Sequence, residues 1–121
     1  MKFDDNKPIY KQIVRYIHGG IITKVFKQGD KLPSVRELAV QLEVNPTTIQ
    51  RAYAELEEEG IIYTIRGTGK YLTKDKERIK ELETGIAKQL TESFILEMMK
   101  LGISKEEIIE WVKKFKEVEK C

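Results

Sequence analysis

The chain has almost none of the side chains that metal and redox chemistry need. It holds one cysteine, Cys121, and one histidine, His18. A lone thiol forms no internal disulfide, which fits a reducing compartment. One Cys and one His do not supply a zinc site. No apolar run approaches the ~18 residues of a membrane span. The opening Met1-Lys2-Phe3-Asp4-Asp5 lacks the apolar core of a signal peptide. The expected setting is therefore the cytoplasm, with no membrane partner. Enzyme signatures are missing too. There is no His-Glu-x-x-His, no paired CxxC, no Walker lysine loop and no nucleophile elbow. Gly67-Thr68-Gly69-Lys70 resembles a phosphate loop only superficially, because the first glycine is absent and no helix follows. No catalytic residue, metal or cofactor is expected.

A large excess of one charge is also missing. The net charge is +2, with 22 Lys+Arg against 20 Asp+Glu. Residues 1–72 hold 11 basic and 9 acidic residues, and residues 73–121 hold 11 of each. The slight basic excess thus belongs to the N-terminal part. A nearly neutral protein still binds DNA when its cations share one face, and Lys31, Arg36, Arg51, Arg66 and Lys70 are the candidates. At 121 residues and 40% hydrophobic content, the chain suits one small domain plus an appendage.

What is present is concentrated between Ser34 and Leu72. Ser34 and Glu37 make the S-x-x-E capping box that starts a helix. Val35, Leu38, Ala39 and Leu42 fall on one face, and the helix is expected to stop near Glu43 with Val44 buried under a turn. Asn45 then serves as an N-cap and Pro46 as the first residue of a second helix. Ile49, Ala52, Tyr53 and Leu56 form its buried stripe, and Gly60 ends it. Two short helices at this spacing make a helix-turn-helix, whose second helix enters the major groove. The side opposite the stripe carries Thr47, Arg51 and Ala54, flanked by Thr48 and Gln50. Small hydroxyls permit close approach, Gln pairs with adenine, and Arg pairs with guanine or phosphate. Glu55, Glu57, Glu58 and Glu59 repel phosphate, so only the N-terminal half should touch DNA.

Ile61 to Ile65 is a β-rich run, followed by Arg66-Gly67-Thr68-Gly69 and Lys70-Tyr71-Leu72. Two strands around a glycine-containing turn make a hairpin whose tip is expected to carry Arg66 and Lys70. A basic tip beside a recognition helix suits a minor groove or flanking phosphates.

These motifs closely resemble the winged helix-turn-helix of the GntR family of bacterial transcription regulators. The resemblance rests on Gly29-Asp30-Lys31-Leu32-Pro33-Ser34-Val35-Arg36-Glu37-Leu38-Ala39, on Val44-Asn45-Pro46-Thr47-Thr48, on Gly60 with Arg66-Gly67-Thr68-Gly69, and on Pro8-Ile9-Tyr10-Lys11-Gln12-Ile13. It covers roughly residues 5–73. The short remainder is similar to the YtrA-like branch, whose members carry a two-helix tail. The resemblance implies DNA contacts from Arg36, Asn45, Thr47, Thr48, Gln50, Arg66 and Gly67; Ser34 and Thr68 complete the candidate set. It also implies control of the chain's own operon and neighbouring transporter genes. Pro46 and Gln50 stand where other branches use Arg, so base preference does not transfer. Lys24 stands where a Gly often ends the first helix, and Gln28 where a Pro often precedes the Gly-Asp turn. Arg36 opposes the macrodipole of its own helix, which contact with a phosphate would explain; a surface pair with a carboxylate is the alternative.

The flanking segments read as helices. Pro8 to about Lys24 repeats Ile9, Ile13, Ile17 and Ile21, with Val14 beside them. Gly19-Gly20 within it permits close packing or a bend. His18 is expected to be a surface or partly packed side chain. After a hinge at Thr73-Lys74, a long helix is expected from about Asp75 to Leu101, with Ile79, Leu82, Ile86, Leu90, Phe94, Met98 and Leu101 at helical spacing. Gly102 closes it. Ser104 and Glu107 form a second capping box, with Ile103 and Ile108 placed as a staple. Ile108, Trp111, Val112, Phe115 and Val118 make the last apolar face.

The expected organisation is mainly α with a small β-hairpin: a winged helix-turn-helix in residues 1–73 and a two-helix dimerisation hairpin in residues 74–121. A joint core that thin calls for a second copy of the chain. Ile86, Leu90, Phe94, Met98, Ile108, Trp111, Val112 and Phe115 are the expected interface; packing of the tail on its own winged domain is the alternative. A two-fold dimer reads half-sites about one turn apart, ~34 Å, so the operator should be an inverted repeat. The reading is a homodimeric repressor on double-stranded DNA, with no effector specified; the alternative is a winged-helix adaptor for protein partners, which would need apolar anchors on the exposed helix face.

Overall fold

The computed structural model describes residues 2–117; Val118 and Cys121 lie outside them. The chain forms two compact units, residues 1–83 and 84–121. In the first, helix α1 spans Ile9–Ile22, α2 Val35–Leu42 and α3 Pro46–Glu58, followed by strands β1 (Ile62–Ile65) and β2 (Gly69–Leu72). Helix α4 (Lys76–Lys100) begins in the first unit and continues in the second, which also holds α5 (Lys105–Lys114).

Apolar spacing places the core of the first unit. Ile13, Val14, Ile17 and Ile21 of α1 are buried, as are Leu38, Ala39 and Leu42 of α2 and Ile49, Ala52, Tyr53 and Leu56 of α3. Helix α3 packs against α1, α2 and β1, so it is the shared wall of the unit. Ile61, Ile62 and Leu72 close the core from the hairpin side. Ile79 and Leu82 of α4 are also buried, and the Arg78 Nε–H donates to the Glu59 carbonyl at 2.6 Å. The first turns of α4 therefore belong with the winged domain.

Each helix boundary has a local cause. The Ser34 side chain accepts from the Glu37 N–H at 3.0 Å, and the Glu37 carboxylate accepts from the Ser34 N–H at 2.8 Å. The Ser34 N–H, and then its hydroxyl, hold the Glu37 carboxyl below its usual range. Asn45 Oδ1 accepts from the Thr47 N–H at 2.8 Å, and Pro46 takes the first turn, where no donor is needed. Helix α2 ends on Glu43 in the left-handed region, φ 57°. Val44 is half-buried rather than buried. Helix α1 runs unbroken through Gly19-Gly20. A Cβ on Gly20 would lie 2.6 Å from the Phe26 ring, so close packing explains that glycine. Lys24 follows the helix at φ 63°, the conformation glycine adopts most easily.

The hairpin pairs antiparallel, with Ile62 opposite Leu72 and Ile65 opposite Gly69. A third segment runs along β2. The Gly29 N–H donates to the Leu72 carbonyl at 3.0 Å, Leu72 returns a bond to Asp30 at 2.8 Å, and Leu32 donates to Lys70 at 2.8 Å. The segment before α2 thus docks onto the wing, which the sequence reading did not anticipate.

The second unit holds the later turns of α4 and all of α5, joined by a short turn. Gly102 turns the chain at φ 81°, and the Ile103 N–H donates to the Met98 carbonyl at 3.0 Å. Ser104 and Glu107 form the expected capping box. Helix α5 stops at Lys114, so Phe115 follows the helix in an extended conformation rather than extending its face.

Candidate nucleic-acid interface

Burial of one α3 face leaves the other in solvent. Thr47, Gln50, Arg51 and Ala54 are exposed, and Thr48 is half-buried. Asn45 begins this surface, with its side-chain oxygen committed to the cap. Ser34 is similarly committed at the start of α2, which leaves its neighbour Arg36 exposed. Arg36 makes no ion pair among the described residues, so the carboxylate alternative finds no support.

The wing turn places Arg66, Gly67 and Thr68 in solvent. Gly67 has φ 79°, and a Cβ there would meet no atom within 4 Å. Its glycine serves the turn and leaves open space around the backbone. Lys70 departs from expectation. It lies within β2 opposite Thr64, not at the tip. Its Nζ donates to Glu57 at 3.0 Å and to Thr64 Oγ1 at 2.8 Å. Lys70 is therefore a tether between wing and α3, and its ammonium is already neutralised. Lys31 sits beside it on the third segment, bridged to Tyr71. A Cβ on Gly69 would fall 2.8 Å from Lys31 Cε, so the missing side chain lets Lys31 lie across the wing. Between the start of α2 and the wing opens a cleft of about 430 Å³, with Lys31, Ser34, Glu37, Tyr53 and Thr64 among its walls. The Tyr53 hydroxyl donates to the Pro33 carbonyl at 2.7 Å, and burial pushes this phenol far above its usual range.

Three of the four acids at the C-terminal end of α3 have partners, and Glu58 is exposed with none among the described residues. Glu55 takes Lys11 at 2.9 Å, Glu57 takes Lys70, and Glu59 faces the partly buried His18 at 3.2 Å. The Lys70 hydrogen bond holds the Glu57 carboxyl below its usual range, and the Glu55 hydrogen bond holds the Lys11 ammonium above its own. Among the described residues, Lys31, Arg36, Arg51 and Arg66 form no ion pair. Exposed cations and short polar side chains thus stand on α2, α3, the wing turn and the segment before α2, while Glu55 and Glu57 are each paired with a lysine. Tyr10, Lys11, Glu55 and Glu57 support that arrangement and were not among the expected site residues. Only Tyr10 and Lys11 had a signal, through the Pro8-Ile9-Tyr10-Lys11 motif. The Glu57–Lys70 pair joins elements 13 residues apart and leaves no local trace.

The family profile described as "Bacterial regulatory proteins, gntR family" matches residues 9–72, which span all of these elements. The chain belongs to the GntR family. Across nearly its whole length it is similar to the HTH-type transcriptional regulator YhcF of Bacillus subtilis (strain 168), with 44% identity over 96% of each chain. It is 40% identical to the HTH-type transcriptional repressor YtrA of the same organism, over 88% of this chain and 82% of that one. A solved GntR family transcriptional regulator from Listeria monocytogenes shares 74% identity and a TM-score of 0.87, over 94% of this chain and all of that one. The chain is thus a YtrA-like GntR regulator, a DNA-binding protein and not an enzyme. Among the described residues, no helix is long and apolar enough to cross a membrane.

Proposed function

We propose that this GntR regulator is a repressor that binds an inverted-repeat operator as a homodimer. The observation that carries the reading is that Lys31, Arg36, Arg51 and Arg66, on or near the two helix starts and the wing, form no ion pair among the described residues. Arg36 and Arg66 hold phosphates, Thr47, Thr48 and Gln50 face base edges, and Gly67 and Thr68 bring the wing backbone close to the duplex. Residues 1–73 read DNA and residues 74–121 hold the dimer together, with the turns of α4 up to Glu83 joining the two tasks.

Support for the dimer comes from what the second unit leaves uncovered. Leu90, Phe94, Trp111, Val112 and Phe115 are exposed, while Ile86 and Met98 are half-buried. Ile108 is the exception in the expected interface. It is already buried within the single chain. The adaptor alternative needs apolar anchors on the exposed α3 face, and Thr47, Gln50 and Arg51 supply none. Repression follows if the bound dimer blocks polymerase at a promoter, a role that similarity to a named repressor supports.

Selection of bound duplexes from a random pool, at near-physiological salt, tests the reading. An inverted repeat with a fixed spacer is expected. A single unrepeated site would overturn the two-fold part, and recovery of nothing above background would overturn DNA reading by the unaided chain.

A further inference from the structure

We propose that Tyr10 is a positioning residue that holds Arg51 open for DNA. The inference rests on the DNA-reading role of α3 argued above. Arg51 Cζ lies 3.9 Å from the centroid of the Tyr10 ring, so the guanidinium stacks on the aromatic face. Tyr10 is half-buried at the start of α1, which packs along α3. The ring is therefore a fixed platform beside the exposed face of the recognition helix.

On an isolated helix Arg51 would have another partner. Glu55 is four residues further along, the spacing at which opposite charges meet. Here Glu55 lies 2.9 Å from Lys11 Nζ instead. Two adjacent residues of α1 thus divide the pair between them. Lys11 occupies the carboxylate, and Tyr10 receives the guanidinium. The chemical consequence is specific. An arginine paired with a carboxylate must break that pair before it meets a phosphate or a guanine. An arginine stacked on a ring has its face covered but its N–H edges free. Stacking also restricts a long side chain before DNA arrives, which lowers the ordering loss on binding. The ring also lies 5.4 Å from Lys11 Nζ, and after Glu55 the Tyr10 hydroxyl helps to hold that ammonium above its usual range; the stack on Arg51 uses the ring alone.

A double-mutant cycle on the full-length dimer tests the inference. The probe is the duplex recovered by the selection described above, titrated with the parent, Tyr10→Ala, Tyr10→Phe, Arg51→Ala and the Tyr10→Ala/Arg51→Ala double variant. Thermal melts verify folding, and Tyr10→Leu replaces Tyr10→Ala should the latter fail to fold. Tyr10→Ala is expected to weaken binding about 3- to 10-fold, the scale of a cation–π contact. Tyr10→Phe, which keeps the ring, should stay within about 2-fold of the parent. With Arg51 already truncated, removing the ring should change affinity by less than about 2-fold. A ring effect that persists in full without Arg51 would overturn the proposal. So would a Tyr10→Phe loss as large as that of Tyr10→Ala, which would mean direct contact by the hydroxyl. Binding by Tyr10→Ala as tight as the parent's would also overturn it. If the parent itself binds no duplex, the reading of α3 fails first, and the cycle makes that outcome distinct.

Discussion

Arg36 stands where a cation harms its own helix, and the proposed phosphate contact would give it a use. It sits in the first turn of α2, where a cation opposes the macrodipole by roughly 0.3–1 kcal/mol. Among the described residues no carboxylate pairs with it. Arg36→Ala should leave stability equal or slightly higher and weaken binding to all duplexes alike. The slope of log affinity against log salt should shrink by about 0.9, one phosphate contact. An unchanged slope would remove Arg36 from the interface. Lys24 is the converse case, a residue whose strain has no evident use. It holds φ 63° with a Cβ. Relief of a left-handed side chain is worth about 1–2 kcal/mol, partly offset by the freer unfolded chain of glycine. Lys24→Gly should raise the urea-unfolding free energy by about 0.5–1 kcal/mol without altering DNA affinity; a loss of stability would show that Lys24 makes a contact worth more than its strain.

A side-chain bond ties the wing to α3. Glu57 is held below its usual carboxylate range by Lys70, then by Thr64. Its charged form is therefore favoured in the folded chain. The stability it contributes is present above the ordinary carboxylate range and is lost as pH falls through the lowered folded value. The pair is partly solvent-exposed, so the contribution is modest. Urea midpoints should stay flat near neutrality and decline below about pH 4.5, with a smaller decline in Glu57→Gln. Equal declines would mean that Glu37, lowered by its capping bonds, carries the acid sensitivity instead. The contrast between these two acids also marks what was legible in advance. Ser34 and Glu37 are three residues apart, and Asn45 and Pro46 are adjacent, so their caps could be read from local spacing. Buried stripes were equally legible because helical period fixes them. The Glu57–Lys70 tether, the docking of Gly29–Leu32 on β2 and the Tyr10–Arg51 stack join distant segments, and only the folded chain brings them together. Lys70 divides in the same way: its place in the strand is readable from the run Lys70-Tyr71-Leu72, whereas its partner on α3 is not.

At the scale of the whole molecule, the two units differ in how fully they bury their own apolar side chains. The first has a closed core with Ile13, Ile17, Leu38, Ile49, Leu56 and Leu72 nearly or wholly inaccessible. Among the described residues of the second, Ile108 is the one buried hydrophobic side chain. Phe94 retains 44% exposure, Trp111 51% and Phe115 70%. Full burial of a large apolar side chain contributes roughly 1.5–3 kcal/mol, so covering these residues with a second copy would stabilise an assembly at low protein concentration. The first unit needs no such cover. Phe94→Glu should therefore give a monomer by sedimentation while the core of the winged domain stays folded, as judged by Tyr53 remaining shielded from solvent. Affinity for an inverted repeat should fall toward that for a single half-site, because linkage of two weak readings supplies much of the strength. A Phe94→Glu protein that remains dimeric at low micromolar concentration would move the interface to other residues. One that is monomeric yet binds the repeat as tightly as the parent would show that a single winged domain suffices, and the exposed faces of α4 and α5 would then serve a partner other than a second copy.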